Sequence, residues 1–253
     1  MGKVYAVANQ KGGVGKTTTA VNLGAYVAEN GKRVLLIDMD PQANATSSLG
    51  YDKRRIDLTM YDVMINNVPL SEMVIVTERV GLDMAPAGLA LAGAEVELVG
   101  LPKREYRLAL ALKPVLDRYD YVFVDCPPSL GLLTVNALTA ANGAVIPIQC
   151  EYLALEGLSQ LLGTIKRIRE RLNPSLAVMG VVMTMYDSRT SLSAQVVNEV
   201  RTYFPHEIFN TIIPRSVRLA EAPSYGQSIF EYDGSSRGAQ AYRALAAELI
   251  TRG

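Results

Sequence analysis

Six short apolar runs punctuate the chain, at residues 4–8, 34–38, 121–125, 144–148, 178–184 and 208–213. They lack the alternation of a half-exposed strand, and runs of this kind predict strands buried on both faces, in a parallel sheet covered by helices. Helical spacing fills several of the gaps. A first helix is predicted over about 16–30, with Gly31 placed as its C-terminal cap. Another follows Leu132. A third spans 155–172, where Leu158, Leu161, Leu162, Ile165, Ile168 and Leu172 form one apolar stripe. Lys166, Arg167, Arg169 and Arg171 crowd the end of that helix, where cations complement the helix C-terminus on a solvated face. A last helix, from 239 to about 251, packs through Tyr242, Leu245, Ala246, Leu249 and Ile250. The pattern gives an α/β fold: one domain over residues 1–253, with a mostly parallel twisted sheet and helices on both faces. No internal repeat, low-complexity segment or linker interrupts it.

Composition narrows the class. A chain of 253 residues with 49% apolar and 20% charged residues builds a core and is not disordered. No apolar run approaches the roughly 18 residues of a membrane span. The start, Met1-Gly2-Lys3-Val4, lacks the regions of a signal peptide, and Ala6 argues against a myristoylation motif. Cys126 and Cys150 form neither a C-x-x-C pair nor a zinc pattern, so buried reduced thiols of a cytoplasmic protein are expected. His206 is the sole histidine, which excludes a His-rich metal site. Residues 1–150 carry 14 basic and 15 acidic side chains and residues 151–253 carry 11 and 10. Bulk charge therefore gives no support for nucleic-acid binding, which would need a local patch, one assembled in a dimer for instance.

The chemistry is concentrated in three strand ends. Gln10-Lys11-Gly12-Gly13-Val14-Gly15-Lys16-Thr17 follows the first strand and opens the first helix. It fits the phosphate-loop pattern G-x-x-x-x-G-K-[ST], except that Gln10 holds the first glycine's place. Gly12, Gly13, Val14 and Gly15 supply backbone N–H groups around phosphate oxygens; Lys16 reaches the β- and γ-phosphates; Thr17 ligates Mg²⁺, with Thr18 beside it. Lys11 is a second lysine, at the head of the loop, where it need not fold back onto its own nucleotide. Asp38 and Asp40 end the second apolar run on one side of the carboxyl edge, ahead of Pro41, where they can order Mg²⁺-bound water and polarise an attacking water. Asp125 ends Tyr121-Val122-Phe123-Val124-Asp125, a Walker B pattern whose carboxylate holds Mg²⁺ directly or through water. Pro127 and Pro128 stiffen the loop that follows.

Together these motifs resemble the deviant Walker A cytoskeletal ATPases of the ParA/MinD group. Pro147-Ile148-Gln149-Cys150-Glu151-Tyr152 with Ala154-Leu155-Glu156-Gly157 is similar to the ParA/Soj chromosome-partition branch. So is Ile213-Pro214-Arg215-Ser216-Val217-Arg218-Leu219 with Glu221-Ala222-Pro223-Ser224-Tyr225-Gly226. The match runs from Val4 to Leu249. The resemblance implies a P-loop NTPase fold and an ATP- and Mg²⁺-dependent homodimer in which Lys11 touches the partner's nucleotide and Gly12 leaves room for it. It implies that Asp40 serves hydrolysis with Asp38 in support, and that the surroundings of Pro214 and Arg215 hold the adenine. It further implies non-specific double-stranded DNA binding by the ATP dimer through Arg189, Arg218 and, more weakly, Arg215, and a ParB-type protein that stimulates slow hydrolysis. Plasmid relatives often add an N-terminal helix-turn-helix domain, for which there is no room before Val4. Three rivals share parts of the pattern. A MinD-like membrane switch needs a basic amphipathic tail; a nitrogenase-iron-protein-like reductase needs cluster-binding cysteines; an ATP-dependent ligase needs a further substrate site.

Overall fold

The computed structural model describes residues 2–151 and 154–252, with side chains described outside 154–156. Tyr152 of the motif at 147–152, and the side chains of Ala154, Leu155 and Glu156, thus lie outside the described residues. Eight strands form one sheet: β1 (Lys3–Val7), β2 (Val34–Asp38), β3 (Ile75–Val76), β4 (Leu82–Ala85), β5 (Tyr121–Asp125), β6 (Gly143–Gln149), β7 (Ala177–Tyr186) and β8 (Ile208–Pro214). Their order is β3-β4-β2-β5-β1-β6-β7-β8. Every pairing is parallel except that of β3 with β4.

Successive residues of the central strands enter opposite cores, which is why their sequences do not alternate. Val4, Ala6, Leu35, Ile37, Val122 and Val124 face one layer. Tyr5, Val7, Leu36 and Phe123 face the other. The helices Leu132–Ala140 and Ala154–Arg171 cover the first face. The helices Lys16–Glu29 and Arg237–Arg252 cover the second. In Ala154–Arg171 the stripe positions Leu158, Leu161, Ile165 and Ile168 are buried, with Leu162 and Leu172 packed at its margin.

The chain leaves β1 across the second face to reach β2, and passes from β5 to β6 across the first. Strand order therefore reverses at β1, and the carboxyl ends of β1, β2 and β5 open into a crevice of the kind that binds ligands in open α/β sheets. Register places Val7 beside Asp125 and Asp38 beside Asp125. The run at 121–125 is the fifth strand of the chain, not the third, because β3 and β4 precede it.

Candidate functional site

The loop after β1 is fixed by side chains from neighbouring strands. Asn9 Nδ2 donates to the Pro147 carbonyl at 2.7 Å, and the Lys11 N–H donates to Asn9 Oδ1 at 3.0 Å. Thr184 Oγ1 donates to the Val14 carbonyl at 2.9 Å. Gly13 and Gly15 adopt φ of 72° and 87°, the left-handed region where glycine is favoured. Gly15 caps the helix Lys16–Glu29, so free N–H groups face the crevice. A Cβ at Gly12 would meet only Pro128 Cβ, at 3.9 Å, so nothing within the protomer demands glycine there.

The two lysines point to different places. Lys16 is 7% exposed, and its Nζ donates to the Lys11 carbonyl at 3.0 Å. Burial pulls its ammonium below the usual lysine value, against the opposing pull of Asp125 and Asp40. Lys11 Nζ instead reaches Glu151 Oε2 at 3.2 Å, at the end of β6. Thr18 faces a separate cavity, described below.

Three carboxylates surround the mouth. Thr17 Oγ1 donates to Asp125 Oδ2 at 2.7 Å. Asp125 is fully buried, and among the described residues its Oδ1 has no hydrogen-bond partner. Burial and the neighbouring Asp38 push it well above the usual carboxylate range. Asp38 Oδ1 accepts the Asp40 N–H at 3.1 Å, and Oδ2 accepts the Thr46 N–H at 2.9 Å and hydroxyl at 2.8 Å. Burial raises its pKa to about 6 despite those bonds. Asp40 Oδ1 accepts the Gln42 N–H at 2.8 Å, which orients it at the start of the loop.

This donor set fits Mg²⁺. A hydroxyl and an orphaned carboxylate oxygen stand above a phosphate loop, and three acids share one buried ammonium, a charge surplus that a dication would balance. Among the described residues no cluster of three His, Cys, Asp or Glu side chains forms a dedicated metal cage. Cys126 and Cys150 are free and buried, and burial raises both thiols, that of Cys150 to about 11.

A cavity of about 240 Å³ adjoins the loop between the ends of β7 and β8. Thr18, Met185, Ile213, Pro214, Arg215 and Leu219 line it. Met185 takes φ of 53° there, and Ala43, three residues beyond Asp40, also has φ of 53°. Two non-glycine residues in the left-handed region flanking one crevice are a mark of sites held in place by their surroundings.

The three arginines follow the ends of the adjacent strands β7 and β8, and the side chains of Arg189 and Arg218 are paired within the chain. Arg189 donates to Asp187 Oδ1 at 2.9 Å and Oδ2 at 2.7 Å. Arg218 pairs with Glu221 at 3.0 Å and Asp233 at 3.5 Å. The Arg215 N–H donates to the Tyr186 carbonyl at 2.9 Å, beside the Tyr186–Pro214 register pair. Arg189 and Arg215 both hold the Asp187 carboxyl below its usual range.

Three residues around the site carry no motif. Thr46, Asn9 and Met185 are each identified only by what they touch. The one available signal was position, since Asn9 adjoins the loop and Thr46 follows the Asp38–Asp40 pair.

Fold and site define an α/β phosphate-loop nucleotide-binding protein with an added lysine at the head of its loop. A family model described as an AAA domain matches residues 2–178. The chain is 54% identical over 253 residues to the sporulation initiation inhibitor protein Soj of Bacillus subtilis, covering 100% of both chains. It is 52% identical to the chromosome partitioning protein ParA of Myxococcus xanthus, over 100% of this chain and 89% of that one. Among solved structures, the Mycobacterium smegmatis protein named cobyrinic acid a,c-diamide synthase, with an ATP analogue and magnesium bound, superposes with a TM-score of 0.88. Identity there is 40%, over 99% of this chain and 95% of that one. The chain belongs to the ParA/Soj family of chromosome-partitioning ATPases. Among the described residues, no helix is long and apolar enough to cross a membrane.

Proposed function

We propose that this chain is an ATPase switch that closes into a homodimer on Mg²⁺·ATP and in that state holds DNA without sequence preference. A ParB-type partner stimulates its slow hydrolysis and releases it from the nucleoid in the cytoplasm. The observation that carries this reading is the divergence of the two lysines. Lys16 lies buried against its own loop, while the Lys11 ammonium turns outward to a half-exposed carboxylate. A loop needing one cation for its own phosphates thus presents a second at the protein surface.

Within the protomer, Gly12 to Thr18 cradle the triphosphate and Lys16 neutralises its β,γ end. Pro214 and Arg215 border the base cavity. Thr17 and Asp125, supported by Asp38, would hold Mg²⁺, which would offset the charge of the phosphates. Asp40 orients the attacking water, so catalysis is chiefly positioning and electrostatics. Lys11 crosses to the partner's nucleotide, where it adds cationic charge at the transferring phosphate. Arg189, Arg215 and Arg218 contact DNA phosphates, doubled in number by the dimer.

The test is light scattering and random-duplex binding with ATP, with ADP and without nucleotide, at 50 and 200 mM salt. We expect dimers and DNA binding with ATP alone. With about four phosphates neutralised, affinity should fall roughly 100-fold between the two salts. A protein that binds ATP but neither dimerises nor binds DNA would overturn the switch. It would favour small-molecule chemistry of the kind named for the M. smegmatis relative.

A further inference from the structure

The two lysines of the loop are linked in series. Lys16 Nζ donates to the carbonyl of Lys11, and Lys11 Nζ donates to Glu151 Oε2 at 3.2 Å. Glu151 is itself held in place. Gln149 Nε2 donates to Glu151 Oε1 at 2.6 Å, and the Glu151 N–H donates to the Gln149 carbonyl at 2.8 Å. The backbone of Lys11 is tied to the same strand end through Asn9 and Pro147. The end of β6 therefore forms a preset receptor for the Lys11 ammonium on its own protomer. The Lys11 and Glu151 side chains remain 40% and 46% exposed, so the pair can open into water without stranding a buried charge.

We propose that Glu151 is a positioning residue that retains Lys11 on its own protomer until a partner's nucleotide competes for it. It thereby sets the protein concentration at which the ATP dimer closes. This rests on the dimerising reading above. The competition is electrostatic: Lys11 exchanges one solvated carboxylate for a polyphosphate of higher charge. An ion pair this exposed is worth roughly a 1.5- to 5-fold factor, and each dimer must release two, so the squared effect is about 2- to 25-fold.

The experiment is sedimentation of wild type and Glu151→Gln with a non-hydrolysable ATP analogue at 50 and 500 mM salt, with nucleotide affinity measured on dilute monomer. We expect Glu151→Gln to reach half-dimer at about 2- to 25-fold lower protein concentration in low salt. Its monomer should bind nucleotide as wild type does. The difference should shrink at 500 mM salt, where exposed charges are screened. Glu151→Asp, which restores the charge, should return most of the wild-type threshold. An unchanged or weaker Glu151→Gln dimer beside a normal wild-type dimer would overturn the retaining role alone. A wild type that stays monomeric with the analogue would overturn both this role and the dimer it serves.

Discussion

Asp125 shows what the ligand-free site costs the protein. One of its oxygens accepts the Thr17 hydroxyl, and the other is buried without a partner among the described residues. Asp38, its register neighbour, is raised from 3.8 to about 6 by the same burial. An acid with a raised pKa holds its proton longer in the folded state than in the unfolded one. Its contribution therefore favours folding at low pH, and that benefit is lost as pH rises from about 4 through about 6. At pH 7 the site is under charge strain, which Asp125→Asn would relieve. We expect Asp125→Asn to raise the melting temperature of the ligand-free protein by about 2–4 °C, the equivalent of about 1 kcal/mol for a domain of this size. It should also abolish the thermal shift given by Mg²⁺·ATP. Scanning fluorimetry at pH 7, with and without Mg²⁺·ATP, checks both; a destabilised variant would mean that Asp125 is satisfied in a way its geometry does not reveal.

The strands that could be read from sequence are those buried on both faces, because continuous apolar runs identify them without any tertiary information. β4 escaped because it is four residues long with Asp83 inside it, and Asp83 is accommodated by the Tyr119 hydroxyl at 2.8 Å, a partner 36 residues away. β3, two residues long, offers no pattern to detect. The same division holds in the site. The loop, Asp38, Asp40 and Asp125 lie within contiguous motifs, whereas Thr46 acts through contacts that sequence spacing does not encode, and the motif holding Glu151 does not reveal its pairing with Lys11. Glu95 is a further case. It lies in the helix Leu91–Glu97, and its carboxylate accepts the Leu132 N–H at 2.8 Å and the Leu133 N–H at 3.4 Å. It thus caps the helix Leu132–Ala140 from a distant segment, and a Cβ at Gly131 would push against that carboxylate. That helix ends the loop beginning at Asp125. Removing the carboxylate in Glu95→Ala should lower stability by about 1–2 kcal/mol, as loss of a helix cap does. Because the loop it anchors leads from Asp125, turnover should fall more than nucleotide affinity. Urea denaturation and steady-state kinetics separate the two effects, and equal losses in kcat and binding would place Glu95 in general stability alone.

At the scale of the molecule, the proposed DNA binding requires that a chain with no net charge grip a polyanion. The candidate surface at the ends of β7 and β8 is almost self-neutralised. Arg189 is chelated by Asp187, and Arg218 is shared between Glu221 and Asp233. In the proposed complex DNA phosphates must therefore displace internal carboxylates, which would lower affinity in any single protomer and make binding depend on doubling the patch. That balance suits a switch, because a fully unpaired arginine cluster would hold DNA in every nucleotide state. Asp187→Asn frees Arg189 and removes a carboxylate that Arg215 also faces, without touching the phosphate loop. One extra cation per protomer would add up to two per dimer, steepening the dependence of log affinity on log salt by up to roughly 2. We expect tighter binding of the ATP form to random duplex at 50 mM salt, a steeper salt slope by fluorescence anisotropy, and measurable binding by the ADP form, which we expect to be absent in wild type. A variant that binds DNA less well would assign Asp187 the opposite part, that of aiming Arg189 at the phosphate backbone.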